Sequence, residues 1–130
     1  MLQAADTSDM AEPLAMIVDD NAPMADVLAE MLQVFNLPSI SVQDGETALR
    51  SLNEEDICLV ITDIRMPHMS GVELLRSIKA QSPDLPVVVI TGYKLAPEED
   101  RAVRNAADGF LNKPFKIEDI QSLLERLDGF

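Results

Sequence analysis

Charged or hydroxyl-bearing side chains stand at the ends of short aliphatic runs, and together they could carry phosphoryl chemistry. Leu14 to Val18 runs into Asp19 and Asp20, and Ile57 to Ile61 ends in Thr62 and Asp63. Val87 to Ile90 ends in Thr91, and Phe110 with Leu111 leads to Lys113. Carboxylates gathered at one point repel, each pair at about 4 Å by roughly 4 kcal/mol at an effective dielectric of about 20. A hard divalent cation relieves that repulsion, and magnesium suits a site of few carboxylates, waters and phosphate oxygens. A lysine and a hydroxyl beside the cation would then neutralise and hydrogen-bond a transferring phosphoryl group. A carboxylate is a competent nucleophile toward such a group. Gly92, directly after Thr91, leaves space for an incoming phosphodonor. Zinc is disfavoured, because His68 is the sole histidine and Cys58 lies inside an apolar run.

These side chains need a scaffold that brings them together. The three strong aliphatic runs are too short for helices and read as strands buried on both faces, as in the centre of a parallel sheet. Ile40 and Val42 alternate with Ser39 and Ser41, and this weaker pattern, like Phe110-Leu111, suits edge strands. Helical spacing fills the gaps. Met24, Val27, Leu28, Met31, Leu32 and Phe35 form one apolar stripe, with Asn21 as cap and Pro23 in the first turn. Val72, Leu75 and Ile78 repeat the spacing, and Ile117, Ile120, Leu123, Leu124 and Leu127 mark a final helix. Pro97 followed by Glu98, Glu99 and Asp100 reads as a helix start. That fourth helix offers only Ala102, Val103 and Ala106, which predicts light packing. Strand and helix alternating five times predicts an α/β fold: a doubly wound, five-stranded parallel sheet covered by five helices, in the flavodoxin-like order 2-1-3-4-5. All strands of such a sheet point one way, so their terminal polar residues converge on one edge.

Composition narrows the partners. The chain has 130 residues, enough for one domain with a real core, of which 47% are apolar and 25% charged. Ten basic against 23 acidic residues give a net charge of −13, which excludes non-specific nucleic-acid binding and suits a cation or a partner with a basic face. The lone Cys58 excludes a disulfide framework, reads as a buried structural thiol and points to a reducing, cytoplasmic setting. No apolar stretch approaches the roughly 20 residues that span a bilayer, so no membrane contact is expected. Residues 1–13, with Asp6, Asp9 and Glu12 and no basic n-region, read as a disordered leader ahead of a domain over 14–130. His68 reads as an exposed loop residue, and Met31, Met66 and Met69 as packing or loop residues.

The segments Val18-Asp19-Asp20, Thr62-Asp63-Ile64-Arg65-Met66-Pro67, Ser70-Gly71, Ile90-Thr91-Gly92 and Lys113-Pro114-Phe115 resemble, in order and spacing, the response-regulator receiver domains of two-component signalling. The likeness covers roughly residues 14 to 128. It implies that Asp63 is the phosphoacceptor, served by a histidine kinase, a phosphotransfer protein or a small phosphodonor. It implies magnesium held by Asp20, Asp63 and the backbone carbonyl of Arg65, with Asp19 acting through water. Thr91 and Lys113 would contact the phosphoryl group, and Phe110 would be the switch aromatic that turns inward as Thr91 moves. The Lys113-Pro114 bond is expected to be cis. Arg65 and Tyr93 occupy variable positions that tune phosphate lifetime; both are bulky and neither is acidic, which predicts slow dephosphorylation.

The same resemblance implies a regulatory domain rather than an enzyme, catalysing only its own phosphorylation and dephosphorylation. The face formed by the fourth helix, fifth strand and fifth helix would change on activation and meet an output domain or protein partner, a second copy of the chain included. Rival readings are a receiver that binds partners without phosphorylation and an aspartyl-phosphate phosphatase. The phosphatase would need an acid two residues after its nucleophile or a following Lys-Thr-Gly run, where this chain has Ile64-Arg65-Met66. A nucleotide or flavin carrier would need a Gly/Ser/Thr-rich loop after the first strand, where Asp19-Asp20-Asn21-Ala22-Pro23 stands instead. A stand-alone regulator and a piece of a longer regulator or hybrid kinase are equally compatible with the sequence.

Overall fold

The computed structural model describes residues 13–92 and 95–127. Strands and helices alternate as β1 (Leu14–Val18), α1 (Ala22–Val34), β2 (Ser39–Val42), α2 (Gly45–Glu54), β3 (Ile57–Asp63), α3 (Gly71–Gln81), β4 (Val87–Thr91), α4 (Pro97–Ala106), β5 (Gly109–Asn112) and α5 (Ile117–Arg126). The sheet order is β2-β1-β3-β4-β5 and every pairing is parallel. The three aliphatic runs are therefore the central strands, and the two weaker patterns are the edges. The expected leader over 1–13 falls outside the described residues except for Pro13.

Alternation along each strand splits the core into two layers. Ala15, Ile17, Leu59, Ile61, Val88 and Ile90 face α1 and α5, packing with Leu28, Leu32, Ile120 and Leu123. Met16, Val18, Val60, Val87 and Val89 face the other three helices, packing with Ala48, Leu74, Leu75, Ile78 and Val103. Cys58 is only half-buried beside the first layer, and burial pushes its thiol up from the ordinary range.

One detail of α1 differs from the apolar stripe read in the sequence. The helix presses on the sheet along Ala25, Leu28 and Leu32, while Val27 is 45% exposed. The small Ala25 side chain lets that face approach the sheet, turning Val27 about 100° away from Leu28 toward solvent. The light packing expected of α4 is observed: it buries Val103 alone. Its N-cap, Ala96, has no side chain to bond the first turn, and Glu99 Oε1 instead accepts the Ala96 N–H at 3.2 Å.

The edge of the sheet opposite the strand C-termini is fastened by one polar cluster. Lys79 Nζ donates to Asp108 Oδ2 at 2.6 Å and to the Leu85 carbonyl at 2.8 Å, while Val87 N donates to the same Asp108 oxygen at 2.8 Å. These bonds join the end of α3, the start of β4 and the turn before β5.

Candidate functional site

The parallel register carries the strand-end residues to one place. Val18 pairs with Thr62, Asp63 with Ile90, and Thr91 with Asn112. Asp19, Asp20 and Asp63 each present an oxygen within 4.8 Å of the others. Asp19 and Asp63 are buried and Asp20 is exposed. Lys113 Nζ lies 3.2 Å from Asp63 Oδ2. A hydrogen bond from Lys113 N to the Thr91 carbonyl, 2.8 Å long, holds the start of the following loop against β4. The Lys113-Pro114 bond is cis.

The two oxygens of Asp63 are differently engaged. Oδ1 accepts the Ile64 N–H at 2.7 Å and the Arg65 N–H at 3.4 Å, so the start of the β3–α3 loop fixes the carboxylate. Oδ2 faces Lys113. That loop is closed by Gly71, whose N–H donates to the Ile64 carbonyl at 2.8 Å. A Cβ at Gly71 would lie 2.8 Å from Ile64 Cα and closer still to the Asp63 carbonyl oxygen, which explains why glycine stands in the Ser70-Gly71 pair. Ser70 then caps α3 in a reciprocal pair with Glu73. His68, at the exposed tip, has φ of 70°, a left-handed conformation.

Asp19 shows the strain of the acidic set. Its Oδ1 accepts the Asn21 N–H at 2.9 Å, but Oδ2 is the one buried side-chain polar atom without a hydrogen-bond partner among the described residues. Burial pushes the Asp19 carboxyl above the usual carboxylate range, opposed by the Asn21 N–H and reinforced by the charge of Asp63. An orphaned carboxylate oxygen beside two further carboxylates fits a divalent-cation site. The donor set is all oxygen, which fits magnesium and not zinc.

Other residues read from the sequence make contacts of their own. Thr62 is buried and donates to the Asp63 carbonyl at 2.9 Å, so its hydroxyl is spent on the main chain. Gly92 makes room within the chain itself: a Cβ there would meet Lys113 Cδ at 3.2 Å. Thr91 donates to Asn112 Oδ1 at 3.0 Å. Phe110 points outward, 37% exposed, with the Arg104 guanidinium carbon 5.8 Å from the ring centre. Arg65 lies 3.6 Å from Glu99 at the first turn of α4. Tyr93 lies outside the described residues. Asn112 and Glu99 were missed in the sequence as site residues, because only strand pairing and loop packing bring them to Thr91 and Arg65.

Comparison with known proteins agrees with this fold. The response regulator receiver domain family matches residues 15–125. The C4-dicarboxylate transport transcriptional regulatory protein DctD of Rhizobium meliloti is 30% identical, over 91% of this chain and 26% of its own length. The DNA-binding transcriptional regulator NtrC of Proteus hauseri is 33% identical, over 85% of this chain and 23% of its own. The chain thus spans about a quarter of the length of these curated relatives. Among solved structures, the receiver domain of NtrX from Brucella abortus superposes with a TM-score of 0.79 at 33% identity, covering 87% of this chain and 96% of that one. The chain belongs to the response regulator receiver domain family.

Proposed function

We propose that Asp63 accepts a phosphoryl group and that the domain thereby switches a partner in two-component signalling. The observation that carries the reading is the convergence of Asp19, Asp20 and Asp63 within 4.8 Å, with Lys113 3.2 Å from Asp63 Oδ2. Asp63 Oδ1 is committed to backbone N–H groups, which leaves Oδ2 as the nucleophile. Oδ2 forms the new bond to phosphorus as the bond to the donor breaks, a P–N bond for a phosphohistidine or a P–O bond for an acyl phosphate. The leaving group keeps the electron pair. Lys113, at the same oxygen, is placed to neutralise the arriving phosphoryl charge. Magnesium would be held by Asp20, Asp63 and the Arg65 carbonyl, with Asp19 acting through water. When bound it supplies the charge compensation that lets an anionic phosphoryl group approach an acidic site.

The donor is a histidine kinase, a phosphotransfer protein or a small acyl phosphate. The phosphorylated state would favour a different arrangement of Thr91, Phe110 and α4, shifting a population that already exists. Support for α4 as the moving part is its single buried residue and the open groove it forms with Thr91, Phe110 and Asn112. The output domain or partner protein would read the α4-β5-α5 face. Within the cell this is a cytoplasmic, regulatory role over a domain of residues 14–130. Among the described residues no helix is long and apolar enough to cross a membrane. Incubation with acetyl phosphate tests the reading: labelling should need magnesium and vanish in Asp63→Asn. Labelling of the variant to the native level would overturn it.

A further inference from the structure

The Thr91 hydroxyl has one proton to donate, and in this structure it goes to Asn112. The bond, 3.0 Å from Thr91 Oγ1 to Asn112 Oδ1, is imposed by the sheet, because Thr91 and Asn112 are register partners on β4 and β5. Phe110, two residues earlier on β5, shares the Asn112 face and points outward against Arg104. A hydroxyl donates one hydrogen bond at a time. Thr91 therefore has to surrender Asn112 before it can donate to a phosphoryl oxygen on Asp63.

We propose that Asn112 is a positioning residue that holds Thr91 in the unphosphorylated arrangement and sets the threshold for switching. The inference rests on the reading of Asp63 as phosphoacceptor. Asn112 is exposed, so its freed carbonyl is taken up by water when Thr91 leaves. The restraint is accordingly the net value of one hydrogen bond, which corresponds to about three- to tenfold in the switching equilibrium. That is small enough for the phosphoryl group to override and large enough to suppress switching in its absence.

Beryllofluoride with magnesium chloride, titrated into the whole chain and followed by amide NMR, measures the threshold. Asn112→Ala and the strand-forming Asn112→Val, both lacking the acceptor, should bind about three- to tenfold more tightly than the native chain. In the absence of beryllofluoride, the Phe110 ring signals of both variants should already shift toward their beryllofluoride-bound positions. The effect of Asn112→Ala should persist in a Thr91→Ser background, which keeps the hydroxyl, and vanish in Thr91→Val. Unchanged affinity in both Asn112 variants, or an equal gain in the Thr91→Val background, overturns the inference while leaving the acceptor reading intact. A native chain whose Asp63 region does not respond to beryllofluoride overturns both.

Discussion

Removing the charge of Asp19 should stabilise the magnesium-free protein. Asp19 is 1% exposed and its Oδ2 has no partner, whereas Asp63, 5% exposed, is compensated by Lys113. Two unit charges at the 4.8 Å limit of the cluster repel by about 3.5 kcal/mol at an effective dielectric of about 20, and by about 1 kcal/mol in full water screening. The buried Asp63 sets the first limit and the exposed Asp20 approaches the second, while Lys113 offsets part of the sum. Asp19→Asn keeps an oxygen for the Asn21 N–H and replaces the orphaned oxygen by an amide donor. The net gain is expected at about 1–3 kcal/mol, or a rise in Tm of roughly 4–10 °C for a domain of this size. Asp63→Asn should gain less, because it also loses the Lys113 ion pair. Thermal melts in EDTA measure both variants against the native chain. Saturating magnesium should shrink or reverse the difference, since the cation then compensates the native carboxylates. Asp19→Asn melting at or below the native temperature in EDTA would refute the claim that the acidic set is strained.

Three further outcomes are expected. Gly71→Ala should lower unfolding free energy by about 2 kcal/mol in urea titrations, because its Cβ meets the main chain at Ile64 and Asp63 rather than a flexible side chain; an unchanged midpoint would contradict the contact. Asp44 caps α2 by accepting the Thr47 N–H at 2.8 Å and hydroxyl at 3.1 Å, and these bonds hold its carboxyl below its ordinary value of 3.8. A lowered folded pKa gives stability that is present above the unfolded value and lost as pH falls through the folded one, so the penalty of Asp44→Ala should be full at neutral pH and fade below pH 3.8; a penalty independent of pH would sink this. Arg65→Asn and Tyr93→Glu should each release phosphate several-fold faster in single-turnover decay. Unaltered decay in both would remove these positions from control of lifetime.

The central strands and the site edge were legible because each aliphatic run ends directly on a polar residue. Once Val18, Asp63 and Thr91 were assigned to parallel strand ends, the meeting of their neighbours followed from strand direction alone. What stayed hidden depends on groups far apart in sequence or on backbone approach. Lys79 and Asp108 are 29 residues apart, and nothing in either segment marks the pair. The second helix has no strong apolar stripe: it buries only Gly45, Ala48 and Ser51, and its clearest signal is the Asp44–Thr47 cap. Val27 looked like a core residue because it lies at helical spacing, but the small Ala25 takes the sheet-facing position. Gly71 was recognisable as part of a motif, yet its reason is a main-chain contact that no spacing reveals. Asn112 escaped notice because an exposed asparagine on an edge strand has no signature until its register partner is known.

The most direct test of the central claim is the position of the phosphoryl group. The chain is incubated with acetyl phosphate and magnesium, the acyl phosphate is reduced with borohydride, and the peptides are mapped by mass spectrometry. The reduced product is expected at position 63 and nowhere else. Modification at Asp19 or Asp20, or a chain left unmodified, would contradict it.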